Sequence, residues 1–341
     1  MSVLHQEIFE QPAALERAIT TSREGVSLLV EKIQRRDIRF VVLAARGTSD
    51  NAATYAKYLL QIVCGIPVAL AAPSVHTMYG ATVDYSHALV VGVSQSGRGE
   101  DVNEVVAQAR RTGALTAAIT NTPDSPLAGV AEHVLHCNAG VEKAVAATKT
   151  YTTTLAIFAR LAAAWSENAE LAENLEALPE RAQKALEVEA QTANLARTLL
   201  HAERVLTVAR GLHLCTAIEA ALKIAETTYT TTQAFSSADL LHGPIASVAT
   251  QTPCLLFRPQ GKTAEMMAGV GQTLSERGAR VITLSPEAAG PDSLPLTDPG
   301  TELLAPVLDI FPAQLIAYHL TVARGLDPDQ PQGLSKVTIT R

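Results

Sequence analysis

FVVLAARGTSDNAATYAKYL at residues 40–59 and RVLTVARGLHLCTAIEAALK at residues 204–223 decide the fold. Each is an apolar run, an Ala-Arg-Gly turn, and then apolar residues at helical spacing, which reads as strand, turn and helix. The correspondence continues downstream. ALVVGVSQSGRGEDV at 88–102 falls opposite TPCLLFRPQGKTAEM at 252–266, and both copies go on to a glycine and a third apolar run, TGALTAAIT at 112–120 and RGARVITLS at 277–285. One match is easily accidental, but the same order at successive places marks an internal repeat. Continuous apolar strands are expected near Val41, Val90, Leu115, Val205, Leu255 and Val281, alternating with helices. That pattern predicts an α/β fold of two doubly wound, parallel sheets, each covered on both faces.

Working outward, residues 1–34 form an N-terminal helical segment, with apolar spacing from Gln11 to Ile33. Residues 35–168 form the first lobe and 202–341 the second, with a C-terminal tail. Residues 169–201 are a charged amphipathic connector broken near Pro179. The 341 residues are 47% hydrophobic and only 4% aromatic, enough to bury full cores packed through small side chains. A formal charge of −7 without a basic run argues against nucleic acid, which needs a cationic stripe. Cys64, Cys137, Cys215 and Cys254 are widely spaced and read as reduced core residues. The dispersed histidines suggest no metal, and no cofactor is required. No basic-then-apolar leader opens the chain, and no later apolar run looks long enough to cross a membrane, so a cytoplasmic protein is expected.

In open parallel sheets, ligands bind where strand ends meet helix N-termini. Ser94-Gln95-Ser96-Gly97 follows one apolar strand and precedes an acidic helix start. Its hydroxyls, amide and helix-start N–H groups suit a phosphate, although an isolated turn of this kind is also a plain helix cap. The second copy carries Arg258, Pro259 and Gln260 at those places, so the donor set is not a requirement of the fold. Likewise Thr48 and Ser49 face Leu212 and His213 in the other copy.

At these residues the chain closely resembles the sugar isomerase (SIS) domain family, specifically double-domain members related to the isomerase half of glucosamine-6-phosphate synthase. The matching segments are Arg46-Gly47-Thr48-Ser49, Ser94-Gln95-Ser96-Gly97, AGVEKAVAATKTYTTTLA from Ala139, IEAALKIAETTY from Ile218, DLLHGPIA from Asp239 and the tail DPDQPQGLSKVTITR. The resemblance implies tandem flavodoxin-like SIS lobes and a homodimer whose subunits share the active site. It implies that Ser49, Ser94, Gln95 and Ser96 bind phosphate and that Thr48 and Val145 line the sugar. It further makes Glu226 the carboxylate that moves a proton between C1 and C2, with Lys223 beside the enediol oxygen. His242 is implied to assist ring opening from the partner subunit, and Lys336 to form an imine with the ketose.

The chemistry fits these residue types on its own terms. An aldose–ketose shift needs one base over two adjacent carbons, which a carboxylate in a closed pocket supplies. Each assignment has a plainer alternative: a helix carboxylate paired with Lys223 for Glu226, a turn cap for His242, and a solvated tail residue for Lys336. Two departures from the family pattern stand out. Gly99 occupies the place of a hydroxyl that completes the phosphate cradle, so either the grip on phosphate is altered or Arg98 beside it compensates. Thr231 and Gln233 replace polar residues on the helix following Glu226.

Only one helix precedes the first lobe and Ser2 is no cysteine, so ammonia from a glutaminase is not expected. The first expectation is therefore a glucosamine-6-phosphate deaminase yielding fructose 6-phosphate and ammonia. Its alternatives are another amino sugar phosphate deaminase or deglycase, or a glutaminase-less, aminotransferase-like isomerase. A non-catalytic phosphosugar sensor is the alternative from another class.

Overall fold

The computed structural model describes residues 2–336; Met1 and the last five residues of the tail, 337–341, lie outside the described residues. The chain divides into two compact units. One comprises Ala13–Glu142, Lys149–Ala177 and the tail from Ser335; the other comprises the N-terminal residues through Pro12, Lys143–Thr148 and Leu178–Leu334.

The first of these units carries β1 (Phe40–Ala44), β2 (Val68–Leu70), β3 (Ala88–Val93), β4 (Leu115–Thr120) and β5 (His133–His136) in the order β2-β1-β3-β4-β5. All pairs are parallel, with Leu43 opposite Val91 across the centre. The apolar runs that the repeat singled out are β1, β3 and β4, and β3 and β4 are buried throughout. One face packs Val42 and Val90 against Val102, Val106 and Leu127 of the helices Glu100–Arg111 and Pro126–Val130. Helices Thr48–Cys64 and Lys149–Ser166 cover the other.

In the second unit, β6 (Arg204–Ala209), β7 (Thr231–Ser236), β8 (Pro253–Phe257), β9 (Arg280–Ser285) and β10 (Ser293–Pro295) are ordered β10-β9-β8-β6-β7. Read from the other edge this is the same doubly wound order, again fully parallel, with Val208 opposite Leu256. Leu206, Val208 and Leu256 pack against Met267, Val270 and Leu274 of the helix Ala264–Glu276. Gln11–Gln34 is helical as its spacing predicts, and the connector breaks at Ala177, just before the helix Leu178–Ala185 that contains Pro179.

Two expectations are corrected here. Thr231 and Gln233 are not on the helix that carries Glu226. That helix ends at Thr228, Tyr229 turns the chain at φ +58°, and both residues lie on the edge strand β7, pairing with Arg204 and Leu206. Second, Ala305–Ala323 is by length and composition apolar enough to cross a membrane, contrary to the sequence reading. This stretch is 83% buried, and that burial accounts for the apolarity.

Candidate functional site

The unit containing β1 to β5 builds a cradle at its topological switch point, where β1 and β3 lead into helices on opposite faces. At the end of β1, Gly47 takes φ +54° and ψ −133°, a conformation open essentially to glycine. Thr48 and Ser49 then begin the helix Thr48–Cys64, both partly buried. At the end of β3, Ser94 Oγ accepts the Gly97 N–H at 3.1 Å and Ser96 Oγ accepts the Arg98 N–H at 3.4 Å. A hydroxyl that accepts from its own loop still has its hydrogen to give, so both serines remain donors to an anion. The loop is pinned from behind, with the Gln95 carbonyl accepting the Asn121 N–H and the Gly97 carbonyl accepting the Leu127 N–H. Gly97 has φ +63°, and a Cβ there would sit 2.1 Å from Ser125 Oγ.

Arg46 ties the two turns together, its Nε donating to Asp101 Oδ2 at 2.7 Å. Asp101 is buried, in the first turn of the helix that Gly99 precedes. Gly99 has an ordinary φ of −65°, and a Cβ there would meet nothing closer than Asp101 Oδ1 at 3.4 Å. Backbone geometry therefore does not demand glycine at this position. Arg98, the expected compensation, is exposed, while the guanidinium anchored at the cradle belongs to Arg46.

The same unit holds Lys336. Its Nζ donates to Glu142 Oε2 at 2.8 Å, and that carboxylate also accepts the Thr150 N–H at 3.0 Å and the Thr150 hydroxyl at 2.8 Å. The plainer view of Lys336 as a solvated tail residue is thus not what the structure shows.

In the other unit, Glu219, Lys223 and Glu226 follow one another along one face of the helix Leu214–Thr228. Lys223 is buried, with Nζ 2.6 Å from Glu226 Oε2 and 3.4 Å from Glu219 Oε1. Glu219 is fully buried, whereas the Glu226 side chain keeps 24% exposure. The pairing foreseen as the bland alternative for Glu226 is therefore present, and it leaves the carboxylate accessible. His242 is exposed at the end of the helix Ser237–Leu241, before Gly243 and Pro244. Val145 is half-buried on the 143–148 loop, whose Lys143 and Ala144 N–H groups donate to the buried Glu7 carboxylate at 2.6 and 3.2 Å.

The second copy of the repeat is built differently at the cradle positions. Arg258, opposite Ser94, donates to Ser285 Oγ and Glu287 Oε2 at 3.3 and 2.6 Å. Gly261, opposite Gly97, has φ +117°, and its missing Cβ would fall 2.1 Å from Glu302 Oε2, which accepts the Lys262 N–H. A carboxylate of the protein thus takes a loop amide of this copy. His213, opposite Ser49, is buried on Asp309 at 2.8 Å, where burial pushes the Asp309 carboxyl up from its ordinary range.

Sequence reasoning missed Glu7, Glu142 and Glu219, and it saw Asp101 only as part of an acidic helix start. Glu142 and Glu219 lie inside the quoted segments, each an acidic residue in an apolar setting, which is a readable signal. Glu7 and the pairing of Asp101 with Arg46 depend on residues distant in sequence.

The SIS domain model matches residues 36–164 and 198–324. A glutamine–fructose-6-phosphate aminotransferase (isomerizing) from Thermococcus kodakarensis is 33% identical over 97% of this chain and 57% of its own length. The chain thus spans little more than half of the curated relatives it matches. Among solved structures, an inferred phosphosugar isomerase from Silicibacter pomeroyi is 33% identical with a TM-score of 0.89, covering 96% of this chain and 100% of that one. The C-terminal domain of a glucosamine-fructose-6-phosphate aminotransferase from Francisella tularensis is 26% identical with a TM-score of 0.87, covering 97% and 98%.

Proposed function

The chain belongs to the SIS domain family, and from that premise we propose that it interconverts the aldose and ketose forms of an amino sugar phosphate. The model for the reaction is the isomerase half of its aminotransferase relatives. The observation that carries the reading is the inequality of the repeat. One copy keeps hydroxyl donors at Ser49, Ser94 and Ser96, while the other ties its equivalent loop to Glu302 and places the Glu226–Lys223 pair on its first helix.

In this reading the cradle holds the phosphate, with Gln95 adding an amide, and Thr48 and Val145 bound the sugar. Glu226 takes the proton from one carbon and returns it to its neighbour. Lys223, already 2.6 Å from that carboxylate, offers an ammonium to the oxygen that becomes negative in the enediol. The partner subunit's His242 exchanges the proton needed for ring opening, and Lys336 forms an imine with the ketose. Release of ammonia from glucosamine 6-phosphate, the first expectation from sequence, uses the same proton transfer followed by hydrolysis. The aminotransferase relatives support the isomerase reading better than that particular direction.

The test is hydrogen exchange in heavy water with glucosamine 6-phosphate or fructose 6-phosphate, read by NMR, together with ammonia release. Deuterium should enter at C1 or C2, and Glu226→Gln should slow this by about 100-fold or more while the sugar phosphate still raises the melting temperature. Exchange that survives in the variant means another base. Thermal protection without exchange in the unaltered chain points to a phosphosugar sensor.

A further inference from the structure

Glu142 is a carboxylate with a side chain that has no exposure at all. A buried carboxylate is tolerated only when donors and a cation surround it. Its surroundings are well defined: Oε1 accepts the Thr150 N–H, and Oε2 accepts both the Thr150 hydroxyl and Lys336 Nζ. Thr150 is itself buried in the first turn of the helix Lys149–Ser166, whose N-terminal dipole favours an anion there. Glu142 is therefore aimed by a rigid element, and it meets the Lys336 nitrogen at 2.8 Å while that side chain keeps 23% exposure. One end of the ion pair is fixed and the other is open to a ligand.

We propose that Glu142 is the proton acceptor that turns Lys336 from an ammonium into a nucleophile. The inference rests on the reading of Lys336 as the imine-forming lysine. An ammonium nitrogen has no electron pair to give, so a proton must leave before attack. Glu142 takes that proton, and the freed amine adds to the C2 carbonyl carbon of the ketose phosphate. A carbon–nitrogen bond forms while the carbonyl π pair moves to oxygen, which takes a second proton from the nitrogen. Glu142 then returns its proton to this hydroxyl, water leaves, and the lysine is joined to C2 as a protonated imine. The carboxylate ends ionised as it began, and no co-reactant is needed.

The experiment traps the imine. The chain is incubated with fructose 6-phosphate and cyanoborohydride, and the peptide bearing Lys336 is examined by mass spectrometry for the reduced adduct across a pH series. Glu142→Gln keeps an oxygen for Thr150 but cannot accept a proton. It should trap about 100-fold more slowly at neutral pH and recover as alkaline pH deprotonates Lys336 unaided. Glu142→Asp, which retains the charge but withdraws it by one methylene, should trap more slowly than the parent without alkaline recovery of the same size. Trapping by Glu142→Gln at the parental rate overturns the proposal. So does a uniform loss that alkaline pH fails to restore, which is the signature of a purely structural anchor. If the unaltered chain exchanges hydrogen at C1 or C2 yet traps nothing, the imine step fails while the isomerase reading stands. If it neither exchanges nor binds the sugar phosphate, both fail.

Discussion

Replacing Gly97 by alanine probes the cradle at the point where its shape is most tightly determined. The residue has φ +63°, which costs an L side chain about 1–2 kcal/mol. The added Cβ would also lie 2.1 Å from Ser125 Oγ and 2.4 Å from Ser125 Cβ. Ser125 has little room to retreat, since it is 4% exposed and its hydroxyl caps the helix Pro126–Val130 by accepting the Ala128 N–H. Relieving such overpacking adds about 1–3 kcal/mol, for a total of about 2–5 kcal/mol. Gly113→Ala is the matched control. It lies in the same compact unit and has φ +89°, but its Cβ would meet nothing within 4 Å, so only the backbone strain applies. In urea unfolding, with a slope of about 2 kcal/mol/M, Gly97→Ala should lose about 0.5–1.5 M more in midpoint than Gly113→Ala. Displacing the loop that presents Ser94 and Ser96 should also raise the Kd for glucosamine 6-phosphate about tenfold, equivalent to about one good hydrogen bond to an anion, and leave the control unchanged. Equal stability of the two variants, or parental affinity in Gly97→Ala, would refute the argument that this loop is sterically locked and holds the phosphate.

Lys223→Met removes the cation beside the fully buried Glu219 and should cost about 3–5 kcal/mol in chemical denaturation. Adding Glu219→Gln should restore at least about 1 kcal/mol of this, whereas simple additivity of the two changes would show the pair to be uncoupled. The thiols give a pH test. Burial pushes Cys137 up to about 12 and Cys64 and Cys254 up to about 11, from an ordinary value near 9.0. Iodoacetamide at pH 8 should therefore modify these residues in the folded chain far more slowly than in urea. Because the folded values are raised, the thiols' contribution to stability is intact below pH 9 and is lost as pH climbs toward 11–12. Rapid labelling of the folded chain, or stability that rises over that interval, would contradict the burial described.

What was legible in the sequence followed from burial on both sides. β3 and β4 lie under helices on each face, so each of their residues must be apolar or small, and a run of that kind announces itself. The edge strands carry a weaker signal. TTQAFS of β7 alternates between exposed and covered positions and borders only β6, so nothing in its local pattern marks Thr231 and Gln233 as strand residues against a helical assignment taken from the family pattern. Ala305–Ala323 shows the opposite ambiguity, since a core helix and a membrane-crossing one satisfy the same composition.

The sequence by itself determined the two-fold repeat, the parallel architecture and the unequal chemistry of the two copies, because each is written in residues close together along the chain. Local spacing also foretold the Lys223–Glu226 pair, three residues apart on one helix. Only the tertiary structure decided that Lys336 meets Glu142 across 194 positions, that Glu7 holds the loop bearing Val145, and that Glu302 occupies the second copy's loop amide. The physical reason is that a buried carboxylate is stable wherever the fold can bring it donors. Its partners are chosen by three-dimensional proximity and need not be near it in the chain.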